Sequence, residues 1–276
     1  MSAAPLSLAD ARAALDWYVE MGVDVAIAEE AQDRYAESAA RKAAPPASLP
    51  PRAEQAERPA APALRPQPSA AALLATPAEG ACAAREAAAS AASLEELRAI
   101  LEAFDGCALK TTANRLVFAD GTPGAKLMLI GEAPGREEDL SGLPFVGRSG
   151  QLLDRMLAAI GLDRSSAYIA NVIPWRPPGN RTPTPQETET CLPFVRRQIE
   201  LAAPEIVVAL GGAAAQSLFR ARDGIMKLRG RWLDFDVGGR PVKAMATLHP
   251  AYLLRSPAQK ALAWRDLKAI RNALAD

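Results

Sequence analysis

The stretch that decides the fold is KLMLI at Lys126–Ile130, which runs directly into GEAPG at Gly131–Gly135. A short apolar run that ends in a glycine-framed turn is typical of a strand buried on both faces of a parallel sheet. Other apolar runs of this kind follow along the chain, and stretches with helical periodicity separate them. The pattern therefore predicts strand–helix alternation that begins at Lys126–Ile130.

The chain after this strand supplies the rest of the alternation. Three more apolar runs predict buried strands, at Tyr168–Ile173, Ile206–Leu210 and Val242–Leu248. Helical spacing predicts helices at Gln151–Ile160, Glu187–Ala202, Ala213–Phe219 and Ala258–Leu274. Together they indicate an α/β fold with a central, mostly parallel, four-stranded sheet and helices on both of its faces. Chemistry is then expected in the loops at the carboxyl ends of the strands.

The chain before this alternation differs in composition. The sequence SLEE at Ser93 is a capping signature for a helix to about Phe104, and we expect one catalytic domain over residues 93–276. Residues 42–92 are rich in Ala and Pro and predict a disordered linker. Residues 1–41 predict a helical segment, whose residues 7–40 could bind a protein partner or dock on the catalytic domain.

Overall composition excludes several classes of protein. The 276 residues hold 32 basic and 32 acidic side chains, and no run of 18 apolar residues or secretion signal is present. We therefore expect a cytoplasmic protein without a membrane segment. A local cluster of Lys227, Arg229 and Arg231 could meet phosphate, although a solvated loop is the commoner explanation of such a cluster.

The three cysteines, Cys82, Cys107 and Cys191, form neither a disulfide framework nor a C-x2-C pair. The chain has one histidine, His249, so a conventional zinc site lacks ligands and no metal site is predicted. The loop GEAPG also departs from the dinucleotide-binding fingerprint, because its second glycine is replaced and acidic residues follow. A nucleotide-binding oxidoreductase therefore fits the sheet but not this loop.

Four polar or aromatic features stand at predicted strand ends or in the loops after them. Glu132 and Glu138 follow the first strand, where a solvated turn is the simpler interpretation. Phe145, on a loop rich in Gly and Pro, could anchor the loop or stack on a flat base. Asn171 ends the second strand with an amide that can read an imide edge. His249 ends the last strand, and an apolar pair, Leu253 and Leu254, follows it.

In this order, the segments GEAPG, GLPFVG, the Asn171 strand with RPPGNR, and HPAYLLR resemble the uracil-DNA glycosylase superfamily. The resemblance is greatest to its family 4 and covers about Leu94–Leu274. It implies a monomeric repair enzyme of the nucleoid that flips uracil out of single- or double-stranded DNA and hydrolyses its N-glycosidic bond. The alternative is a DNA-binding module that keeps the fold without the catalysis.

The resemblance also implies a role for each residue of the pocket. Phe145 would stack on the flipped uracil, and Asn171 would bind its polar edge and so reject cytosine. His249 would donate a hydrogen bond to uracil O2 as the base leaves. Ala133 occupies the place where family 1 carries a catalytic aspartate. Of the two acidic residues, Glu138 is favoured for the attacking water and Glu132 for a positioning role.

Further residues are expected to contact DNA. Leu253 and Arg255 would form the wedge that keeps the base extruded. Arg181 and Arg229 are expected at the phosphate backbone. A related branch of the superfamily carries an additional basic loop with a second histidine and bonds covalently to DNA. This chain has no second histidine, so we expect no covalent product.

The resemblance is incomplete at the iron–sulfur cluster, which family 4 enzymes hold with four cysteines. The matching positions here are Cys107, Lys110, Trp175 and Cys191. An ammonium group or an indole cannot replace a thiolate ligand. We therefore predict that the chain carries no cluster or other cofactor, and that Trp175 fills the space with apolar bulk.

Overall fold

The computed structural model describes residues 77–275. The predicted helical segment over residues 1–41, its partner site, and the part of the predicted linker before residue 77 all lie outside the described residues. Among the helices between residues 77 and 275, none combines the length and the apolar character that crossing a membrane requires.

The described residues form an α/β fold around one six-stranded sheet. In chain order the strands are β1 (Asp120–Gly121), β2 (Leu127–Gly131), β3 (Ala167–Asn171), β4 (Ile206–Leu210), β5 (Trp232–Val237) and β6 (Arg240–Thr247). Their order in the sheet is β1-β3-β2-β4-β6-β5. The four inner strands are parallel, and they are the four strands predicted from the apolar runs. The α/β class and the parallel core of the sheet are thus confirmed.

The two edge strands correct the predicted strand number. Strand β1 pairs antiparallel with β3. It is only two residues long, so it is too short to produce a strand pattern in the sequence. Strand β5 pairs antiparallel with β6 through a turn at Gly238 and Gly239, whose φ values of 61° and 82° suit a tight hairpin. Exposed Asp234 and Asp236 interrupt its apolar residues, because an edge strand is only half buried.

Helices cover both faces of the sheet. Their bounds are α1 Pro77–Ser90, α2 Leu94–Ala103, α3 Arg136–Ser141, α4 Arg148–Ala158, α5 Pro185–Ala202, α6 Gly212–Phe219, α7 Ile225–Leu228, α8 Pro250–Arg255 and α9 Lys260–Ala275. Helices α1, α2, α5 and α6 pack on one face, whereas α4, α8 and α9 pack on the other. Met128 and Ile130 of β2 point to the first core, and Leu127 and Leu129 point to the second. This alternation explains the uninterrupted apolar run of β2.

Helix α1 corrects the expected linker. The prediction of disorder is wrong for the last part of residues 42–92, because Pro77–Ser90 is helical. Ala84 and Ala88 are buried, and the small side chains let α1 lie close against α5. Arg197 of α5 donates hydrogen bonds from Nε and Nη2 to the carbonyl oxygen of Ala91, at 3.1 and 2.7 Å. An alanine face carries too little hydrophobicity to be recognised as a core-facing pattern.

The start of the next helix matches its sequence signature. Ser93 caps α2, since its hydroxyl accepts a hydrogen bond from the backbone N–H of Glu96 at 3.1 Å. The carboxylate of Glu96 in turn accepts a hydrogen bond from the backbone N–H of Ala92 at 2.7 Å. Leu94, Leu97 and Leu101 are buried against the core shared with α1 and α5. The region that packs as one body therefore begins before residue 93.

Candidate active site

The carboxyl ends of the parallel strands open into one cavity of about 540 Å³. Strands β3 and β4 lie on opposite sides of β2, so the chain reverses its direction across the sheet at β2. Such a reversal leaves a crevice outside the strand ends, where ligands bind in open α/β sheets. The cavity is lined by Glu132, Ala133, Phe145, Asn171, His249 and Arg255, among others. All of these were expected at the site from the sequence.

Gly131, the last residue of β2, lets two of these side chains converge. A Cβ atom at this position would lie 2.4 Å from Asn171 Oδ1 and 2.6 Å from Phe145 Cζ. Both distances are too short for a real Cβ contact, so any side chain here would displace the amide and the ring from these positions. Asn171 is the neighbour of Gly131 in the parallel register of β3, and its side chain is 5% exposed. The amide and the phenyl ring therefore meet directly over the end of β2.

Phe145 forms one wall of the cavity. Its ring centroid lies 5.6 Å from that of His249, and the two ring planes are inclined by 32°. The residue is 5% exposed and has a φ of 55°, in the left-handed region that side chains other than glycine rarely adopt. A loop with this backbone geometry holds the ring toward the cavity rather than toward solvent.

His249 follows β6 and caps α8. Its Nδ1 accepts a hydrogen bond from the backbone N–H of Ala251 at 3.0 Å, so the ring proton of the neutral form is on Nε2. Burial lowers the pKa of His249 to about 4, and Arg255 acts in the same direction, while Glu138 opposes both. At neutral pH the side chain is therefore an uncharged imidazole that can donate one hydrogen bond into the cavity.

Glu138, in the first turn of α3, is 7% exposed and binds three backbone N–H groups. Its Oε1 accepts from Val146 and Gly147, and its Oε2 accepts from Gly135, each at 3.0 Å. The carboxylate thus ties the loop after β2 to the loop that carries Phe145. With both oxygens bound to backbone donors, its position favours a structural function.

Glu132 and Ala133 line the cavity directly after β2. Glu132 is partly buried, and this burial raises the pKa of its carboxyl group. A carboxylate with a raised pKa accepts a proton more readily than an ordinary one at neutral pH. Ala133 contributes no polar side chain to the cavity.

Helix α8 corrects the expected wedge. The prediction for Leu253 is wrong, because Leu253 is 1% exposed and packs in the core with α4 and α9. Its neighbour Leu254 is 38% exposed, and the exposed Arg255 lines the cavity. Consecutive residues of a helix point about 100° apart, so only one leucine of the pair can face out. The packing of α8 against α4 and α9 decides which one does.

Of the two arginines expected at DNA, one is held in a mostly buried ion pair and the other lies at the cavity. The prediction for Arg229 is wrong, because its guanidinium is mostly buried in an ion pair with Asp266 of α9. Thr247 also donates to Asp266, at 2.7 Å, so this cluster fixes the end of β6. Arg181 lies at the cavity and forms a two-pronged ion pair with Glu187, with Nη1–Oε2 at 2.8 Å and Nη2–Oε1 at 2.5 Å.

The structure adds a part of the site that the sequence interpretation missed. Gly211, Gly212 and Ala213, at the start of α6, line the cavity after β4. Gly211 has a φ of 96°, and a Cβ atom there would lie 3.0 Å from His249 Cβ. The double glycine directly after a buried strand was the signal available in the sequence.

The residues at the expected cluster positions do not fit an iron–sulfur cluster. The Sγ atoms of Cys107 and Cys191 are 3.8 Å apart in the core, and Trp175 is 2% exposed. Lys110 Nζ donates instead to the carbonyl oxygen of Glu102 and to Asp105, both at 2.7 Å. Within residues 77–275, no group of three or more His, Cys, Asp or Glu side chains could hold a metal ion. Two thiols leave half of a four-thiolate ligand set unfilled.

Comparison with known proteins identifies relatives of this chain. The family sequence model described as the uracil DNA glycosylase superfamily matches residues 118–268 of this chain. The type-4 uracil-DNA glycosylase of Archaeoglobus fulgidus is 42% identical over 168 residues, which is 59% of this chain and 84% of the relative. The enzyme of the same name from Thermotoga maritima is 42% identical over 54% of this chain and 77% of its own length. A third, from Pyrobaculum aerophilum, is 36% identical over 63% of this chain and 91% of its own length.

Proposed function

This chain belongs to the uracil-DNA glycosylase superfamily, and we propose from the cavity how it excises uracil from DNA. It is a hydrolase of N-glycosyl bonds that acts in base excision repair and leaves an abasic site. The observation that carries the proposed mechanism is the meeting of the Phe145 ring, the Asn171 amide and the neutral His249 in one cavity. We propose that this cavity receives uracil after it has been flipped out of the DNA.

Recognition of the base begins with Phe145 and Asn171. The phenyl ring offers a face on which the flat pyrimidine stacks. The amide of Asn171 carries both an acceptor and a donor, which complement the N3–H and O4 of uracil. Cytosine presents an acceptor and a donor in the opposite sense at these atoms. A buried polar group left unpaired costs about 1–3 kcal/mol, which supports rejection of cytosine.

Departure of the base depends on His249. When the bond between C1′ and N1 breaks, its electron pair goes to uracil and negative charge spreads to O2. We propose that Nε2–H of His249 donates a hydrogen bond to O2 and stabilises this charge. Such a preorganised donor is worth about 3–4 kcal/mol in the transition state. A neutral imidazole performs this role without transferring its proton.

For the water, we propose Glu132 rather than Glu138. The sugar left behind is an oxocarbenium ion, and a water oxygen must bond to C1′ while the water loses a proton. Glu132 lines the cavity, and its raised pKa suits it to accept that proton. Glu138 uses both oxygens to hold the two loops in place. The sequence favoured Glu138 for the water and Glu132 for a positioning role, and we propose the reverse assignment.

We propose that Leu254 and Arg255 keep the base extruded. Leu254 is the exposed leucine of α8, and Arg255 adjoins it at the cavity mouth. An apolar side chain that enters the gap left by the base hinders its return into the stack. Arg181, also at the cavity, is placed to contact phosphate, although its pair with Glu187 must then be shared.

We also propose that the enzyme works without an iron–sulfur cluster. The proposal is supported by the pair of cysteines, the buried Trp175 and the hydrogen-bonded Lys110. Protein purified under anaerobic conditions should be colourless and hold far less than one iron atom per chain. A brown preparation with stoichiometric iron would overturn the proposal.

An assay on single-stranded DNA tests the function. A labelled oligonucleotide with one uracil is incubated with the enzyme, then treated with alkali, which breaks the strand at an abasic site. Cleavage at the uracil, and none in the matching thymine oligonucleotide, is expected. Absence of cleavage in single-stranded and in duplex DNA would contradict the function and favour a module that only binds DNA.

The assembly and the partners of the enzyme are further proposals. We propose a monomer that acts on DNA in the nucleoid, with residues 7–40 available to a protein partner. Light scattering coupled to size-exclusion chromatography tests the first proposal, with one peak at the 29.2 kDa mass of the chain expected. A dimer at micromolar concentration would refute it.

A further inference from the structure

The backbone of Phe145 is in a conformation that needs support from its surroundings. A bulky residue in the left-handed region, at a φ of 55°, is disfavoured relative to the ordinary regions. The conformation persists only where neighbouring groups hold it. The loop around Phe145, residues 142–147, is rich in Gly and Pro and has no regular hydrogen-bond ladder of its own.

The beginning of α4 gives one part of that support. A Cβ atom at Gly150 would lie 1.7 Å from the carbonyl oxygen of Phe145 and 2.1 Å from its carbonyl carbon. The first turn of α4 therefore lies directly against the Phe145 peptide and blocks its movement on that side. Glycine at this position makes the close approach possible, but it donates no bond to the carbonyl group.

Arg164 gives the second part, and it does so with hydrogen bonds. Its Nη2 donates to the carbonyl oxygen of Phe145, and its Nη1 donates to that of Pro144 at 3.1 Å. Both acceptors belong to the short loop that carries the aromatic ring. One planar guanidinium therefore clamps two successive carbonyl groups in a defined relative orientation.

Two carboxylates hold the guanidinium itself. Nε of Arg164 donates to Oδ1 of Asp154, in α4, at 2.8 Å. Nη1 of Arg164 also forms an ion pair with Asp120 of β1. The Arg164 side chain is only 25% exposed, so these contacts are partly shielded from water. A charge-assisted pair of this kind restrains the arginine more firmly than an exposed surface pair does.

We propose that Arg164 is a positioning residue, which fixes the Phe145 ring where it stacks on the flipped uracil. The inference rests on the proposed function of the cavity. Arg164 belongs to the single turn Arg164–Ser166 that leads into β3, and β3 ends at Asn171. One short segment thus places both the stacking ring and the amide that reads the base. Arg164 does not line the cavity and acts only through Phe145.

Three variants test the effect on excision. Arg164→Met removes both hydrogen bonds from Arg164 to the loop, while Arg164→Lys keeps the charge but cannot span both carbonyl groups and both carboxylates. Arg155→Met, at an exposed position of α4, removes one positive charge close to Asp154 and is the matched control. Single-turnover excision at saturating enzyme should fall about 10- to 100-fold in Arg164→Met, because displacements of about 1 Å cost up to 100-fold. Arg164→Lys should lie between it and the wild type, and Arg155→Met should match the wild type.

A double-mutant cycle separates positioning from general stabilisation. In a Phe145→Ala background no ring remains to be positioned, so Arg164→Met should then change the rate less than about twofold. A purely structural arginine would lower the rate by the same factor in both backgrounds. Equal factors, or a wild-type rate in the Arg164→Met protein, would overturn the inference. Thermal melting confirms that each variant is folded at the assay temperature.

A measurement without DNA keeps the inference separate from the proposed function. In protein labelled with carbon-13 phenylalanine, the Cα chemical shift of Phe145 reports its backbone conformation, and loss of the signal in Phe145→Leu identifies it. The left-handed shift should persist in Arg155→Met and move toward the ordinary range in Arg164→Met. An unchanged shift in Arg164→Met would refute the clamp even if the enzyme excises uracil. A wild type that excises no uracil would refute the function, while the shift still tests the clamp.

Discussion

The cavity at the carboxyl edge of the sheet and the cysteine region around Cys107, Trp175 and Cys191 differ in what the chain has kept. In the cavity, the phenyl ring, the amide, the imidazole and the glutamates expected from the family resemblance are all present and converge. In the cysteine region, half of the expected ligands are replaced, and an indole is buried among apolar side chains. The difference supports the proposals that excision depends on the side chains of the cavity and that the cysteine region supports the loops by packing.

The largest expected effect tests the packing role of the cysteine region. Trp175→Ala should lower the free energy of unfolding by about 3–5 kcal/mol, because it leaves a cavity where a buried indole had been. Single-turnover excision per folded molecule should fall no more than a few-fold. Urea denaturation and an assay at low temperature measure the two quantities.

Trp175→Phe is the control for this change, since it keeps an aromatic ring and should recover most of the lost stability. Loss of excision in a fully folded Trp175→Ala protein would break the comparison. It would mean that the cysteine region takes part in the chemistry after all.

The next effect tests the cavity. His249→Ala should lower single-turnover excision by about 100- to 1,000-fold, because one preorganised donor to the leaving base is lost. Affinity for DNA should change little, since the residue is not at the phosphate backbone. Fluorescence anisotropy with DNA that carries a non-hydrolysable uracil nucleotide measures the affinity. A variant that excised uracil at the wild-type rate would contradict the mechanism.

The same histidine predicts a pH dependence of stability. The unfolded chain binds a proton at His249 below about pH 6.5, whereas the folded chain does so only near pH 4, where its pKa lies. The stabilisation is complete above pH 6.5 and should be lost as the pH falls to 4, by about 3 kcal/mol from this group. Denaturation of the wild type and of His249→Gln, compared at several pH values, isolates this contribution. Parallel stability curves for the two proteins would show that the imidazole is not buried in its neutral form.

The smallest expected effect concerns the exposed leucine of α8. Leu254→Ala should lower excision from duplex DNA about tenfold, because the wedge no longer fills the gap left by the base. Excision from single strands should be nearly unchanged, as no stack has to be opened. Leu253→Ala is the matched variant, and we expect it to lower stability instead, because Leu253 is buried. A tenfold loss on single strands as well would contradict a wedge.

Prediction from the sequence was most successful where burial is complete. Strands β2 and β4 are buried along their whole length, so each produces an uninterrupted apolar run, such as IVVAL at Ile206–Leu210. The short β1, the half-exposed β5 and the alanine-rich α1 lack that signal, because their burial depends on neighbours that are distant in the chain. For the same reason Gly211 and Gly212 became part of the cavity only in the folded structure.

The candidate site, too, was predicted only in part. The residue types of the cavity, including His249, Asn171 and Phe145, were recognisable from the motifs and their order at strand ends. Their roles depended on bonds that no motif encodes, such as the three backbone donors to Glu138 or the ion pair of Arg229. A carboxylate or a guanidinium is available for chemistry only when the fold leaves it free.

The sequence by itself determined the α/β class, the positions of the inner strands and the identity of the groups at their ends, because an apolar run and the residues that follow it are local features of the chain. It also showed that two of four cysteine ligands are absent. Tertiary structure alone decided which glutamate is held by backbone N–H groups, which leucine faces solvent and how Arg164 reaches the Phe145 loop. These outcomes depend on contacts between distant segments, and they appear only when the strands are assembled side by side.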